Sequence, residues 1–271
     1  MPDIKLRAAV CGVSGRLGRT IANQLISRTD TAICGGMVGQ DSVNLGADLG
    51  DVAGKGYLGI ETVVSLEEAV ADADILIDVS TPQVIAAVAE RLARLGGVGL
   101  VTGSTGLDDD QQAALHAASK VIPVLQASNF SLGVAVMERL VAEAARALDA
   151  EQFDLEIVET HHKRKADAPS GTAISLGKAA AHARGETFDT VAQFERPRIN
   201  GSRPMGTIGF AAVRGGGVVG EHEARFLSAF EEVTVTHRAF DRFLFARGAV
   251  EAALWLKGRE PGFYSMQDVL G

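Results

Sequence analysis

The chain has 271 residues, 46% of them hydrophobic and only 5% aromatic, with a net charge of −8 at pH 7. That length allows one large domain or two ordinary ones, with cores packed mainly by Ala, Val, Leu and Ile. The acidic balance argues against general binding to nucleic acid or an anionic membrane, and no apolar run reaches the ~18 residues of a membrane span.

Met1-Pro2-Asp3-Ile4 does not open a basic-then-apolar signal segment, so a soluble, cytoplasmic protein is expected. Strands are expected at Ile4–Cys11, Thr31–Val38, Asp74–Ser80, Gly99–Thr102 and Val121–Leu125. Cys11 and Cys34 fall on strands and are too few for a disulfide framework, so they read as small buried thiols. Leu17, Ile21 and Leu25 form a helical stripe after the first strand, and Leu66–Val70 reads as a short helix. Ser80 or Thr81 is expected to cap a helix with Pro82 in its first turn, and Asp108–Asp110 place negative charge at another helix start. Repeated strand–helix alternation implies parallel strands with helices on both faces, an α/β doubly wound fold.

The pattern changes near Asn129. A long helix is expected over Leu132–Leu148, a strand over Phe153–Glu159 and a helix over Thr172–Ala183. Strand signals follow at Thr207–Val213, Gly220–Leu227 and Glu232–His237, which points to a mixed or antiparallel sheet. Arg242–Leu256 returns to helical spacing.

Gly12, Gly15 and Gly18 form G-x-x-G-x-x-G between the first strand and the first helix. Backbone without side chains can approach a pyrophosphate there, and the helix N-terminus offsets its charge, so a dinucleotide is the expected ligand. Such folds often carry Asp or Glu about 20 residues on, for the ribose hydroxyls. This chain has Val38 and Gly39 there, with Gln40 and Asp41 beyond and no Arg, which leaves NADH and NADPH both open. Thr102-Gly103-Ser104-Thr105-Gly106 and Ala127-Ser128-Asn129-Phe130 follow strands at the same expected edge and fit a nicotinamide cleft.

His161-His162-Lys163-Arg164-Lys165 runs into Asp167-Ala168-Pro169-Ser170-Gly171-Thr172. Most charge runs are solvated loops. Here the run adjoins a helix start, where Gly171 permits close approach and the Thr172 hydroxyl lies near helix amides, a combination able to grip a carboxylate. The His pair lacks metal-site spacing and no Cys lies nearby, so no metal is expected.

At these residues the chain resembles the 4-hydroxy-tetrahydrodipicolinate reductase family, formerly called dihydrodipicolinate reductase. E-T-H-H-K-R-K-A-D-A-P-S-G-T-A carries the likeness, with V-C-G-V-S-G-R-L-G-R, T-G-S-T-G, A-S-N-F-S-L-G-V, P-M-G-T-I-G-F and V-G-E-H. It covers essentially the whole chain. The resemblance implies a Rossmann-type nucleotide domain over 1–130 and 241–271. It implies an inserted α+β domain over 131–240 that binds substrate and builds a homotetramer. Carried over, Gly12, Val13, Ser14, Gly15, Arg16 and Leu17 would hold the pyrophosphate of NADH or NADPH. Gly103, Ser104 and Thr105 with Ala127, Ser128, Asn129 and Phe130 would hold the nicotinamide side. His161 would donate or accept a proton and Lys165 donate one, while His162, Gly171 and Thr172 would bind the carboxylates of a small dicarboxylate substrate. Hinge closure near Phe130–Ser131 and Phe240–Asp241 is expected if the two ligands sit on different domains. A nucleotide sensor with a degenerate enzyme domain would lack the proton donors, and another imino- or amino-acid dehydrogenase would lack the basic signature.

Overall fold

The computed structural model describes residues 4–195 and 201–271; residues 1–3, where the chain start was read for a signal segment, lie outside the described residues. In chain order come β1 (Leu6–Cys11), α1 (Arg16–Ser27), β2 (Thr31–Met37), α2 (Leu49–Val52), β3 (Thr62–Val63) and α3 (Leu66–Val70). Then follow β4 (Ile75–Asp78), α4 (Pro82–Leu95), β5 (Gly99–Thr102), α5 (Asp109–Ala118) and β6 (Pro123–Gln126). The middle of the chain forms α6 (Leu132–Ala147), β7 (Asp154–His161), α7 (Gly171–Ala183), α8 (Phe188–Val191), β8 (Ala192–Gln193), β9 (Ile208–Arg214), β10 (Gly220–Leu227) and β11 (Glu232–Ala239). The end returns with α9 (Phe243–Leu256), β12 (Gly262–Tyr264) and α10 (Met266–Val269).

These elements form two compact units, Met1–Ser131 with Phe243–Gly271, and Leu132–Arg242. The first carries a parallel sheet in the order β12-β6-β5-β4-β1-β2-β3. Its inner strands β4 and β5 are buried throughout, as strands covered on both faces must be. The chain runs outward from β1 through β2 and β3, then restarts on the other side at β4. The loops after β1 and β4 therefore diverge at a switch point, where doubly wound sheets bind ligands. The expectation of a doubly wound α/β fold is met here.

Local chemistry sets the helix starts. Asp108 caps α5 and forms a capping box with Gln111. Thr81 is the N-cap of α4, with Pro82 in the first turn, but its side chain makes no cap hydrogen bond. The Ser80 hydroxyl donates instead to Asp78 at 2.5 Å. The strand expected from Val121 starts at Pro123, because Val121 N–H still closes a turn onto Ala118 O at 2.9 Å.

α9 belongs to this first unit. It buries Ala246, Gly248, Ala249, Val250, Ala252, Ala253 and Leu256, and its small residues bring it close to neighbouring backbone. A Cβ on Gly248 would stand 1.7 Å from the carbonyl oxygen of Phe130. The returning helix thus fixes the loop after β6.

The second unit has a mixed sheet, β11-β10-β7-β9-β8, with β10 antiparallel to both neighbours and β7, β9 and β8 parallel. Leu155 and Ile157 of β7, with Ala224 and Phe226 of β10, face α6 and α7 in one apolar core. A mixed sheet was expected, and the α+β character holds.

Gly248→Ala should cost about 1–3 kcal/mol of stability, because the contact is with backbone that cannot rotate away. Its thermal unfolding midpoint should fall clearly below that of the unsubstituted chain, and an unchanged midpoint would contradict this packing.

Candidate functional site

In the first unit, the loops after β1, β5 and β6 leave the same end of the sheet. Gly12 has φ +77°, and a Cβ there would lie 2.9 Å from Val79 O. Gly18 lets α1 approach the turn, since its Cβ would be 2.2 Å from Gly12 O. The amides of Gly12 and Val13 donate to Met37 O at 3.1 and 3.2 Å, so they hold the turn to β2. Gly15, the N-cap of α1, provides no side-chain cap. Gly15 and Arg16 are exposed, so the first turn of α1 presents uncapped amides that suit an anion.

Asp78 ends β4 and is fully buried. Its carboxylate accepts from Ser80 N at 3.2 Å, Thr102 Oγ1 at 2.8 Å and Ser104 Oγ at 2.7 Å, besides the Ser80 hydroxyl. The Ser104 hydroxyl is therefore turned inward, and what the Gly103–Thr105 loop presents is mainly its backbone and the exposed Thr105. Gly103 N–H donates to Asp78 O at 2.9 Å, and the Phe130 ring fills the space a Gly103 Cβ would need, 2.5 Å away. Ala127 N–H donates to Thr102 O at 2.9 Å, and Asn129 Oδ1 accepts from Ser131 N–H at 2.8 Å. Ser128 is exposed. Burial, with Asp78 adding to it, pushes the Cys11 thiol up to about 12, so it is no nucleophile. Val38 is buried, and Gly39 opens onto space with nothing within 4 Å of a Cβ.

The second unit gathers the basic segment at the C-terminal end of β7. Alternation along β7 buries Leu155, Ile157, Glu159 and His161 on one face. The apolar face thus turns polar over its last two positions. Parallel register sets Arg214 of β9 beside His161, and antiparallel register sets His222 of β10 beside Glu159. Glu159 accepts from Arg214 at 2.8 and 2.6 Å, from Ser170 N–H at 3.1 Å, and pairs with His161 Nδ1 at 2.5 Å. Ser170 caps α7 by accepting from Ala173 N–H at 3.2 Å, and its hydroxyl meets His222 Nε2 at 3.1 Å. Gly171 has nothing within 4 Å of a Cβ, so the helix start is open on that side.

Burial pushes Glu159 up, but hydrogen bonds from Arg214 and His161 outweigh it and hold the carboxyl below its usual range. Burial holds the His161 imidazole below its ordinary value; Glu159 opposes this, and the Lys165 and Arg214 charges add to it. Lys165 Nζ pairs with Asp167 at 2.9 Å, while Lys163 and Arg164 are exposed. His162 Nε2 lies 2.6 Å from a guanidinium nitrogen of Arg242 and so accepts from it. Burial, Arg242 and Arg164 depress His162, which is therefore a neutral ring and not a cation at neutral pH.

Among the sequence-derived residues, His161, Lys165, Gly171 and Thr172 lie on one short stretch from the end of β7 to the start of α7, with His162 between them. Glu159, Ser170, Arg214, His222 and Arg242 were given no role from sequence. Glu159 opens the basic signature two residues before His161, and that spacing on a strand was the available signal. Arg214 and His222 come from other strands through register alone. No group of three metal-binding side chains able to hold an ion occurs among the described residues, nor any helix long and apolar enough to cross a membrane.

Comparison with known proteins bears on this arrangement. A family model described as "Dihydrodipicolinate reductase, N-terminus" matches residues 6–130, and one described as "Dihydrodipicolinate reductase, C-terminus" matches residues 133–270. A 4-hydroxy-tetrahydrodipicolinate reductase of Caulobacter vibrioides is 44% identical, covering 98% of this chain and 97% of its own. Its counterpart in Pseudomonas fluorescens (strain Pf0-1) is 43% identical over 98% of both chains. A solved dipicolinate-bound dihydrodipicolinate reductase from Paenisporosarcina sp. TG-14 shares the fold, with a TM-score of 0.77 at 21% identity over 97% of this chain and 98% of its own.

The buried histidines give the second unit a defined pH response. Burial, with the His161 charge adding to it, pushes His222 down from 6.5 to about 4. Between those values the unfolded chain binds a proton that the folded chain does not, so stability falls as pH drops from 6.5 toward 4. His161, His162 and His237 are depressed as well and act in the same direction. The thermal unfolding midpoint should decline across that window, and a flat midpoint would contradict the burial.

Proposed function

The chain belongs to the dihydrodipicolinate reductase family, and from that premise we propose how its residues divide the work of the reaction. The activity is reduction of 4-hydroxy-tetrahydrodipicolinate with NADH or NADPH, giving tetrahydrodipicolinate, water and the oxidised nucleotide, in lysine and diaminopimelate biosynthesis. The bound nucleotide supplies the hydride.

In this proposal the first unit holds the nucleotide. The uncapped first turn of α1, with Gly12 to Leu17, takes the pyrophosphate. Gly103 to Thr105 and Ala127 to Phe130 take the nicotinamide side. The buried side chain of Val38 and the bare backbone of Gly39 offer neither carboxylate nor guanidinium. Those two positions therefore favour neither a ribose 2′-hydroxyl nor a 2′-phosphate.

The second unit binds the cyclic dicarboxylate. The open start of α7 at Gly171 and Thr172 receives one carboxylate, helped by the helix N-terminus. His162 takes part through its pairing with Arg242, whose charge suits a carboxylate better than a neutral imidazole does. The substrate loses water, its hydroxyl leaving with a hydrogen of the adjacent ring carbon; as hydride is then gained at a carbon conjugated to the imine, negative charge moves toward the ring nitrogen. Lys165 offsets that charge and donates a proton. His161 exchanges a proton through the nitrogen not engaged by Glu159. The observation that carries this reading is that His161 and the Ser170 amide at the start of α7 bond one buried carboxylate, with the Lys165 charge close enough to act on His161.

The same reading includes assembly as a homotetramer through the sheet of the second unit, supported by the exposed Val213 and Val233 on β9 and β11. Light scattering should give four times the chain mass, and a monomer would reject it. A cytoplasmic location also belongs to the proposal, supported by the free Cys11 and Cys34.

Lys165→Ala should lower kcat by about 10²–10⁴-fold while nucleotide affinity changes little. His161→Ala should also lower kcat. Near-normal turnover in the Lys165 variant would remove its role, and an effect of the His161 variant on KM alone would make that residue a binding group.

A further inference from the structure

Glu159 touches more of the candidate site than any residue assigned a role above. Only 1% of its side chain is exposed. One oxygen, Oε2, meets His161 Nδ1 and accepts from Arg214 Nη1. The other, Oε1, accepts from Arg214 Nη2 and from the backbone amide of Ser170. One carboxylate therefore joins the proposed proton-exchanging ring on β7 to the N-cap of α7. Arg214 is itself tied to the intervening loop, donating to Asp167 O at 2.7 Å.

An acceptor at 2.5 Å from Nδ1 fixes which ring nitrogen carries hydrogen. Nδ1 must be the donor, because an ionised carboxylate can only accept. Nε2 is then the basic nitrogen of the neutral ring. Space beside Nε2 is kept by Gly220 of β10, where a Cβ would stand 3.0 Å away.

We propose that Glu159 is the positioning residue of this site: it sets the His161 tautomer so that protons pass only through Nε2, and holds that nitrogen in register with the carboxylate-binding start of α7. This rests on the assignment of proton exchange to His161. Glu159 touches neither substrate nor nucleotide in this account and acts through His161. The charged and titratable groups around the ring are Glu159 on its own strand, Arg214 on β9, His222 on β10, and Lys165 with Asp167 in the loop before α7. His237 of β11 stands behind His222, with ring centroids 6.4 Å apart. Glu159 is the one carboxylate among them bonded to the ring, so its charge opposes the burial and the cations that disfavour imidazolium.

The test pairs Glu159→Gln with Glu159→Asp. Nitrogen-15 NMR of the histidine rings, on the full chain without ligands, should show His161 as the Nδ1–H tautomer at pH 8 and a mixed or Nε2–H ring in Glu159→Gln. In turnover, Glu159→Gln should lose about 10- to 100-fold in kcat, with KM for the dicarboxylate within about threefold. The acidic limb of its kcat/KM profile should move to lower pH, because imidazolium has lost its counter-charge. Glu159→Asp should recover part of kcat. An Nε2–H ring in the unsubstituted protein would overturn the proposal even if neither variant folds. So would a Glu159→Gln enzyme with unchanged tautomer and pH profile, or one changed in KM alone. Normal turnover by His161→Ala would reject the parent assignment instead, and leaves the ligand-free tautomer measurement standing by itself.

Discussion

A carboxylate as deeply buried as that of Glu159 costs several kcal/mol unless its oxygens are filled with donors. Arg214, His161 and the Ser170 amide fill them, and each comes from a different part of the second unit. Satisfying that one group fixes the ring of His161, the end of β9, and the first turn of α7 together. The basic run gains its geometry in the same way. Lys163 and Arg164 project outward, while Lys165 is drawn back by Asp167 into the loop that Arg214 ties down. Inside a protein of net charge −8, Arg214 is thus held on a buried anion of the fold, and Lys165 on the loop beside it.

The first unit solves a related problem differently. Asp78 is buried at the end of β4, at the switch point of the sheet, and hydroxyls of Ser80, Thr102 and Ser104 with one amide satisfy it. No hydrogen bond from a cation to it is seen among the described residues. The effect is to bind the loops after β4 and β5 to each other beside the glycine turn. The Phe130 ring packs on Gly103, and α9 presses on Phe130 through Gly248. Chain from the far C-terminal part therefore braces a loop assigned to the nicotinamide side. In both units a run of buried apolar strand residues gives way, near the strand's end, to a buried acid that organises the loops beyond.

Much of this was legible in the sequence. Leu66–Val70, Gly99–Thr102 and Gly220–Leu227 fall where periodicity placed them, because each has a clear apolar pattern between turn residues. The basic signature carried the family, and the glycine turn the expectation of a dinucleotide. What escaped has physical reasons. α2, α8, β3, β8, β12 and α10 are too short to show a period. α2 in particular is held by Asp48, whose side chain accepts from the amides of Gly50, Asp51, Leu58, Gly59 and Ile60, a contact made across a loop and not by pattern. β7 was expected to stop at Glu159 because Thr160 and His161 end the apolar run, yet the strand continues and its buried face simply becomes polar. His161 is thus a strand residue and not part of a loop. Arg214 and His222 could not be placed without knowing the register of β9 and β10. Thr172 was read as a hydroxyl near the helix amides, and Ser170, given no role from sequence, is the residue that caps α7.

Turnover by the purified chain tests the central claim most directly, with 4-hydroxy-tetrahydrodipicolinate formed in situ and the loss of reduced-nicotinamide absorbance followed for NADH and NADPH in parallel. The account predicts substrate-dependent oxidation of at least one nucleotide, with other keto and imino acids giving far slower loss. No oxidation of either nucleotide with this substrate, or equal rates with unrelated imino acids, would contradict it.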